Sequence, residues 1–165
     1  GQVRYTLCPP ASGDHYNGGG VGPILARFYG PEDKALPQGW IHDLEHGGLV
    51  LLYRGDGPGA TTDGQAALRA FFDAFPPSPV CGLAAGTNVS PLFARFDEMA
   101  TPYAALVWDR VLPLETLDTA QILQFHSSFA EVSNPEKQCA SPTPVPSPSA
   151  SGSESASPSA SPSPS

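Results

Sequence analysis

The chain has 165 residues, including 20 prolines and 17 glycines, and its 16 acidic against 8 basic residues give a formal net charge of −8. This length accommodates one domain, and the acidic surface would repel a phosphate backbone, which excludes nucleic acid as a default partner. The longest apolar runs, residues 49–53 and 103–108, are far shorter than the roughly 20 residues that cross a bilayer, so no membrane span is predicted.

The predicted elements begin after an irregular segment. Residues 1–40 are punctuated by Pro and Gly, and we expect them to wrap over the fold without contributing to a sheet. Residues 48–54 are short and mostly apolar, which predicts a buried strand. A helix follows, with a capping box made by Thr62 and Gln65 and an apolar stripe that ends at Pro76-Pro77.

Two further strands and a second helix are predicted downstream. Residues 92–96 alternate in the pattern of a strand, and residues 103–112 would return as its antiparallel partner in a hairpin. Thr116 or Asp118 would cap the second helix. The order strand, helix, strand, strand, helix predicts an α+β fold close to a ferredoxin-like half. Its mainly antiparallel sheet would carry two helices on one face and the N-terminal segment on the other.

The C-terminal end differs in composition from the rest of the chain. Residues 140–165 consist mainly of Ser, Pro and Ala with a single charge, that of Glu154. Such a segment buries too little apolar area to offset its chain entropy. We therefore expect a single domain at residues 1–139, followed by a disordered tail. Because the chain begins with Gly1 and carries no leader, we expect that it is processed or a fragment.

Three of the four histidines lie close together in the sequence. His42 and His46 are four residues apart, a spacing that places both side chains on one side of a helix or a strand, and His15 lies in the preceding loop. Imidazole nitrogen is a ligand that zinc, copper, nickel and iron share. The three side chains therefore predict a metal site. The alternative is that each imidazole only hydrogen-bonds a buried carbonyl.

Sulfur ligands would decide which metal binds. Met99 is the only methionine, and it lies between the two strands of the predicted hairpin. A thioether beside three imidazoles would select copper, whereas zinc would prefer a carboxylate or water in that place. The alternative is a methionine that fills a gap in the core. Cys8 is a rival soft ligand whose other interpretation is a buried or disulfide-bonded thiol.

Residues 42–46 (His-Asp-Leu-Glu-His) also match the H-x-x-E-H motif of inverted zinc peptidases, whose glutamate activates water. That motif belongs to a long helix, whereas Gly47-Gly48 follows it directly here, so we expect at most one helical turn. Glu45 is then expected to accept a hydrogen bond from a ligand imidazole. His126, at the margin of the last predicted helix, is interpreted as structural. No Ser-His-Asp order or glycine-rich phosphate loop favours an enzyme.

The remaining cysteines suggest a disulfide. A bond between Cys81 and Cys139 would attach the C-terminal segment to the fold and stabilise it by roughly 4 kcal/mol in the chain-entropy model. Because the number of cysteines is three, one thiol would remain outside this disulfide. This cysteine usage is compatible with an oxidising compartment.

These motifs resemble the bacterial domain of unknown function 3105 family, whose members are exported or membrane-anchored. The resemblance covers about residues 8–137. It rests on residues 9–16 (Pro-Pro-Ala-Ser-Gly-Asp-His-Tyr), residues 40–48 (Trp-Ile-His-Asp-Leu-Glu-His-Gly-Gly) and residues 102–110 with Trp108. It implies a leader or anchor ahead of this chain and a location outside the cytoplasm. It supplies no activity.

The leading hypothesis is an extracellular or cell-envelope domain that binds one metal ion for buffering, delivery or electron transfer. The metal would be copper, with zinc as the alternative, and the ligands would be His15, His42, His46 and Met99. The second hypothesis is a metal-free interaction module with a protein partner in the cell envelope. The third is a zinc hydrolase with Glu45 as its base.

Overall fold

A computed structural model describes residues 4–18, 24–77 and 91–137. The helices are α1 (Pro37–Glu45), α2 (Thr62–Asp73) and α3 (Thr119–Phe129), and a short 3₁₀ turn at Pro58–Ala60 precedes α2. The strands are β1 (Val50–Tyr53), β2 (Leu92–Arg95), β3 (Tyr103–Val107) and β4 (Arg110–Leu114). Within the described ranges, none of the helices combines the length and apolar character needed to cross a membrane. The expected tail and the Cys81–Cys139 disulfide lie outside these residues and stay predictions.

The four strands form one mixed sheet in the order β2-β1-β3-β4. β1 pairs in parallel with β2 and antiparallel with β3, and β3 pairs antiparallel with β4. Antiparallel pairing therefore predominates, which confirms the predicted α+β class.

Two hydrophobic clusters cover opposite faces of this sheet. The first contains Leu52 of β1 and Trp40 of α1, together with residues from the segment before α1. The second contains Leu51 of β1, Leu68 of α2 and Ile122 of α3. Because successive side chains of a strand point to opposite faces, α2 and α3 share one face, as predicted. α1 and other parts of the N-terminal segment cover the opposite face, whereas Phe28 of that segment belongs to the second cluster.

The predicted hairpin between residues 92–96 and 103–112 is wrong. β1 lies between β2 and β3, so the two predicted partners are not neighbours. The second run is also divided by a turn in which Asp109 adopts a positive φ of 59°, a conformation that aspartate tolerates better than most residues. Arg110 then pairs with Val107, and β4 returns along β3.

The expectation of at most one helical turn before Gly47 is also wrong, because α1 has nine residues. Pro37 occupies its first turn, where the missing N–H removes no helical hydrogen bond. Gly47 has a φ of 87°, and its amide donates to the carbonyl of Leu44 at 3.0 Å. The amide of Gly48 donates to the carbonyl of Asp43 at 2.9 Å. The two glycines thus complete a Schellman ending of α1.

The predicted helix caps are confirmed for α3 and displaced for α2. Asp118 caps α3 by accepting a hydrogen bond from the amide of Gln121 at 2.9 Å. The capping residue of α2 is Thr61 rather than Thr62, and its hydroxyl accepts a hydrogen bond from the Gly64 amide at 3.0 Å. The third residue of α2 is then Gly64, which cannot return the second bond of a capping box, so the predicted box is wrong; the side chain of Gln65 donates instead to the carbonyl of Gly59 at 2.7 Å.

Candidate metal centre

The candidate site lies at the C-terminal end of α1. His42 and Glu45 belong to the last turns of the helix, and His46 is the residue that caps it. Residues three and four positions apart are neighbours on a helix surface. The side chain of His42 therefore lies beside those of Glu45 and His46, and the ring centroids of the two histidines are 4.9 Å apart.

His15 reaches this helix from the N-terminal segment. Its Nε2 atom lies 2.9 Å from Oε2 of Glu45, and its ring centroid is 5.1 Å from that of His42. The ring of Trp108 stands nearly perpendicular to that of His15, with the centroids 6.2 Å apart. The segment thus folds back toward the helix, as the metal hypothesis requires.

Two hydrogen bonds on either side of His15 hold its segment on α1. The indole N–H of Trp40 donates to the carbonyl of Pro10 at 2.9 Å, and this bond is buried. The amide of Tyr16 donates to the carbonyl of Gln38 at 3.1 Å. Because both partners belong to the same helix as His42 and Glu45, the segment and the helix position the site together.

Backbone carbonyls fix the tautomers of two histidines. Nδ1 of His15 lies 3.0 Å from the carbonyl oxygen of Gly13, and Nδ1 of His42 lies 3.0 Å from that of Tyr16. A carbonyl oxygen only accepts hydrogen bonds, so each Nδ1 carries a proton. The Nε2 atom of each neutral ring then carries a lone pair, which is the arrangement found in metal-ligating histidines.

The contact between His15 and Glu45 requires a cation. A neutral ring protonated at Nδ1 presents a lone pair at Nε2, and a carboxylate oxygen is an acceptor as well. Two acceptors 2.9 Å apart repel each other unless a proton or a metal ion lies between them. A metal ion with bonds of about 2.0 Å would use the same two atoms. Proton and metal ion therefore compete for this pair.

Two overlapping groups of ligand atoms are present among the described residues. One atom each from His15, His42 and Glu45 lies within 4.8 Å of the other two, and the same holds for Glu45, His46 and Glu136. The structure thus brings His15 and His42 together and places His46 in the adjoining group. Glu45, expected to accept a hydrogen bond from an imidazole, contacts His15 and belongs to both groups.

Glu136 is the site residue that the sequence analysis missed. Its Oε2 atom lies 3.2 Å from Nδ1 of His46, and its amide donates to the carbonyl of Glu45 at 3.2 Å. The side-chain amide of Asn134 donates to the carbonyl of Glu136 at 2.8 Å and holds this turn. Since His46 and Glu136 are 90 positions apart in the sequence, no local spacing connects them.

Gly47 allows the turn that carries Glu136 to approach α1. A Cβ atom at Gly47 would lie 2.8 Å from Oε1 of Glu131 and 3.0 Å from Nδ2 of Asn134. Contacts this short would force the side chains of Glu131 and Asn134 in this turn to shift. The glycine therefore has two roles, since it ends the helix and admits the segment that completes the second group.

Asp43 is a buried carboxyl in the middle of the motif. Its side chain is 6% exposed, and its Oδ2 atom has no hydrogen-bond partner. Burial raises the pKa of Asp43 from 3.8 to about 8, because the charged form loses its hydration. Asp43 is thus mainly protonated at neutral pH, and Glu45 and Glu136 supply the negative charge of the two groups.

The two sulfur candidates have different surroundings. Met99 is 6% exposed and belongs to the first hydrophobic cluster, together with Trp40 and Leu44. Its role as a metal ligand stays a prediction. Cys8 carries a free, exposed thiol, which donates to the carbonyl of Glu98 at 2.8 Å.

His126, on α3, belongs to neither group. Its side chain is 1% exposed, and its ring centroid is 5.7 Å from that of Phe75. Burial lowers the pKa of His126 below the ordinary value of 6.5, so the neutral ring is favoured. These surroundings agree with the structural interpretation.

A family model described as Protein of unknown function (DUF3105) matches residues 1–143. The match includes all of α1, His15 and Glu136, so every residue of the two groups lies inside it. No curated protein and no solved structure matches the chain.

Proposed function

The chain belongs to the domain of unknown function 3105 family, and we propose that it binds a divalent transition-metal ion through His15, His42 and Glu45. The contact of 2.9 Å between Nε2 of His15 and Oε2 of Glu45 carries this proposal. When His15 is neutral, this contact sets two acceptors against each other, and His42 offers a third ligand atom within 4.8 Å. Such a grouping is what a cation would stabilise.

The ligand atoms favour copper(II) and zinc over copper(I). Two imidazole nitrogens and a carboxylate oxygen form a set of borderline and hard ligands, for which Cu²⁺ has the highest affinity among the divalent first-row ions. Zn²⁺ also binds two histidines and one glutamate and retains an open position there. Copper(I) would need a soft ligand such as Met99. We therefore favour metal buffering or delivery over electron transfer.

The proposed setting is the cell envelope or the extracellular space. The resemblance to exported and membrane-anchored proteins supports this setting. The Ser/Pro/Ala composition of residues 140–165 also suits a spacer that would hold a domain away from a surface.

Equilibrium dialysis against Cu²⁺ and against Zn²⁺, followed by metal analysis, tests the proposal. The wild-type protein should retain metal, and a His15→Asn/His42→Asn variant should retain clearly less at the same free concentration. Glu115→Gln, which alters an exposed carboxylate outside both groups, is the matched control and should behave as wild type. Equal retention by wild type and the double variant would overturn the proposal.

A metal-free interaction module is the second candidate. The hydrogen bonds from His15 to Gly13 and from His42 to Tyr16 favour it, since both histidines brace the N-terminal segment without any metal. This candidate predicts that a chelator leaves the melting temperature of the purified protein unchanged. Metal binding instead predicts a higher melting temperature with added Cu²⁺ or Zn²⁺ and its reversal by the chelator.

The zinc hydrolase has less support. In the H-x-x-E-H enzymes both motif histidines bind zinc and the glutamate activates water. Here Glu45 groups with His15 and His42, while His46 belongs to the other group. Glu45 is therefore placed among the ligand atoms, where it would bind the metal itself.

A further inference from the structure

We propose that the centre takes up two metal ions, bridged by the carboxylate of Glu45. This inference rests on the proposed function, because the first ion is the one held by His15, His42 and Glu45. The second ion would be held by Glu45, His46 and Glu136.

The shared glutamate is the first step of the argument. Glu45 is the one residue common to the two groups of ligand atoms, each of which lies within 4.8 Å. A carboxylate has two oxygens, so it can bind one metal ion with each, and paired metal sites in proteins hold their ions about 3.5–4 Å apart. The ring centroids of His42 and His46, one from each group, are 4.9 Å apart.

The turn after α3 supplies the second group with its own carboxylate. Oε2 of Glu136 lies 3.2 Å from Nδ1 of His46. The position of this carboxylate is set partly by the backbone of Glu136, which is hydrogen-bonded both to the carbonyl of Glu45 and to the side chain of Asn134. The absence of a side chain at Gly47 leaves room for the side chains of Glu131 and Asn134 in the same turn. The fold therefore brings a nitrogen ligand of His46 and an oxygen ligand of Glu136 close to Glu45.

Exposure and charge set the order in which the ions bind. The side chains of His15 and Glu45 are 15% and 20% exposed, whereas that of Glu136 is 57% exposed. Two divalent ions bring four positive charges, and Glu45 and Glu136 together supply two negative ones. Once the first ion is bound, its two positive charges already balance the two carboxylates, so the second ion meets no net negative charge at a position that is open to water. It should bind more weakly than the first, with water or hydroxide completing its shell.

Copper(II) is a suitable probe, because two Cu²⁺ ions joined by a carboxylate couple magnetically and lose electron paramagnetic resonance (EPR) signal. Calorimetric titration of the wild-type protein with Cu²⁺ should give two equivalents. The EPR signal should rise with the first equivalent and fall with the second. Glu136→Gln removes the exposed carboxylate of the second group and should bind one equivalent with its full signal. Glu115→Gln is the control and should match wild type.

The possible results separate this inference from the proposed function. Binding of no copper by the wild type would overturn both. Binding of one equivalent with a full signal would overturn the bridged pair and leave the single site. Two equivalents in Glu136→Gln, or a second equivalent that adds to the signal, would also refute the bridge, since the second ion would then lie elsewhere.

Discussion

The buried carboxyl of Asp43 should make the stability of the fold depend on pH. Its pKa is 3.8 in an ordinary setting and about 8 in the fold. Between these values the unfolded chain releases the proton and the folded chain keeps it. The folded state then binds more protons than the unfolded state, so the free energy of unfolding falls as the pH rises through this window.

The size of the effect follows from the pKa difference. Each pH unit inside the window changes the free energy of unfolding by about 1.4 kcal/mol. From pH 5 to pH 7 the contribution of Asp43 therefore falls by about 3 kcal/mol. Asp43→Asn keeps the shape of the side chain and removes the titration. Relative to wild type, the variant should gain about that amount over the same two pH units.

Urea unfolding of both proteins at pH 5, 6 and 7, with a chelator present, measures this difference. The other titrating groups contribute equally to both proteins and cancel. Asp73→Asn, at an exposed position of α2, is the matched control and should give a constant difference from wild type. If the profiles of wild type and Asp43→Asn run parallel, Asp43 is not held protonated in the fold and the burial argument fails.

Three further substitutions test the fold around the site. Thr61→Ala removes the side-chain cap of α2 and should lower the free energy of unfolding by about 1 kcal/mol in urea, whereas Thr61→Ser should preserve it. Gly47→Ala places a Cβ on a backbone with a φ of 87°, and this Cβ would lie 2.8 Å from Oε1 of Glu131. The substitution should lower the free energy of unfolding by roughly 1 kcal/mol or more. Gly18→Ala, with nothing within 4 Å, is its control, and equal stabilities of the two variants would contradict the close approach. Met99→Leu should lower the free energy of unfolding by less than about 1.5 kcal/mol and leave copper retention in dialysis unchanged. Loss of copper retention in this variant would identify the thioether as a ligand.

Local patterns in the sequence were sufficient to identify several elements. The strand at residues 48–54 and the helices α2 and α3 were found because apolar periodicity and helix caps are local properties. Strand pairing was not found, because β1, β2 and β3 are all almost fully buried and any of them could adjoin another. The turn at Asp109 depends on a backbone conformation that apolar periodicity does not report.

Helix α1 was missed although the sequence contained its signals. Pro37 near the start and Gly47 just after the end are the arrangement that helix termini favour. By composition alone Gly47-Gly48 predicts a break after one helical turn, whereas in the fold the pair ends a longer helix. Recognition of this pair of signals would have placed His42 in α1 from the sequence alone.

The candidate site was predictable only in part. The four-residue spacing of His42 and His46 indicated that the two side chains would be neighbours. The contact between His15 and Glu45 needed the N-terminal segment to fold back, and Glu136 needed the turn after α3 to dock beside Gly47. Both depend on tertiary packing, which residue spacing does not encode.

X-ray absorption spectroscopy of the protein loaded with one equivalent of Cu²⁺ tests the metal proposal most directly. The account predicts nitrogen and oxygen ligands at about 2.0 Å, with outer-shell scattering from two imidazole rings. His15→Asn should lose one ring from this signal or lose the metal. Copper with no imidazole in its shell, or with sulfur as a ligand, would contradict the assignment of His15, His42 and Glu45.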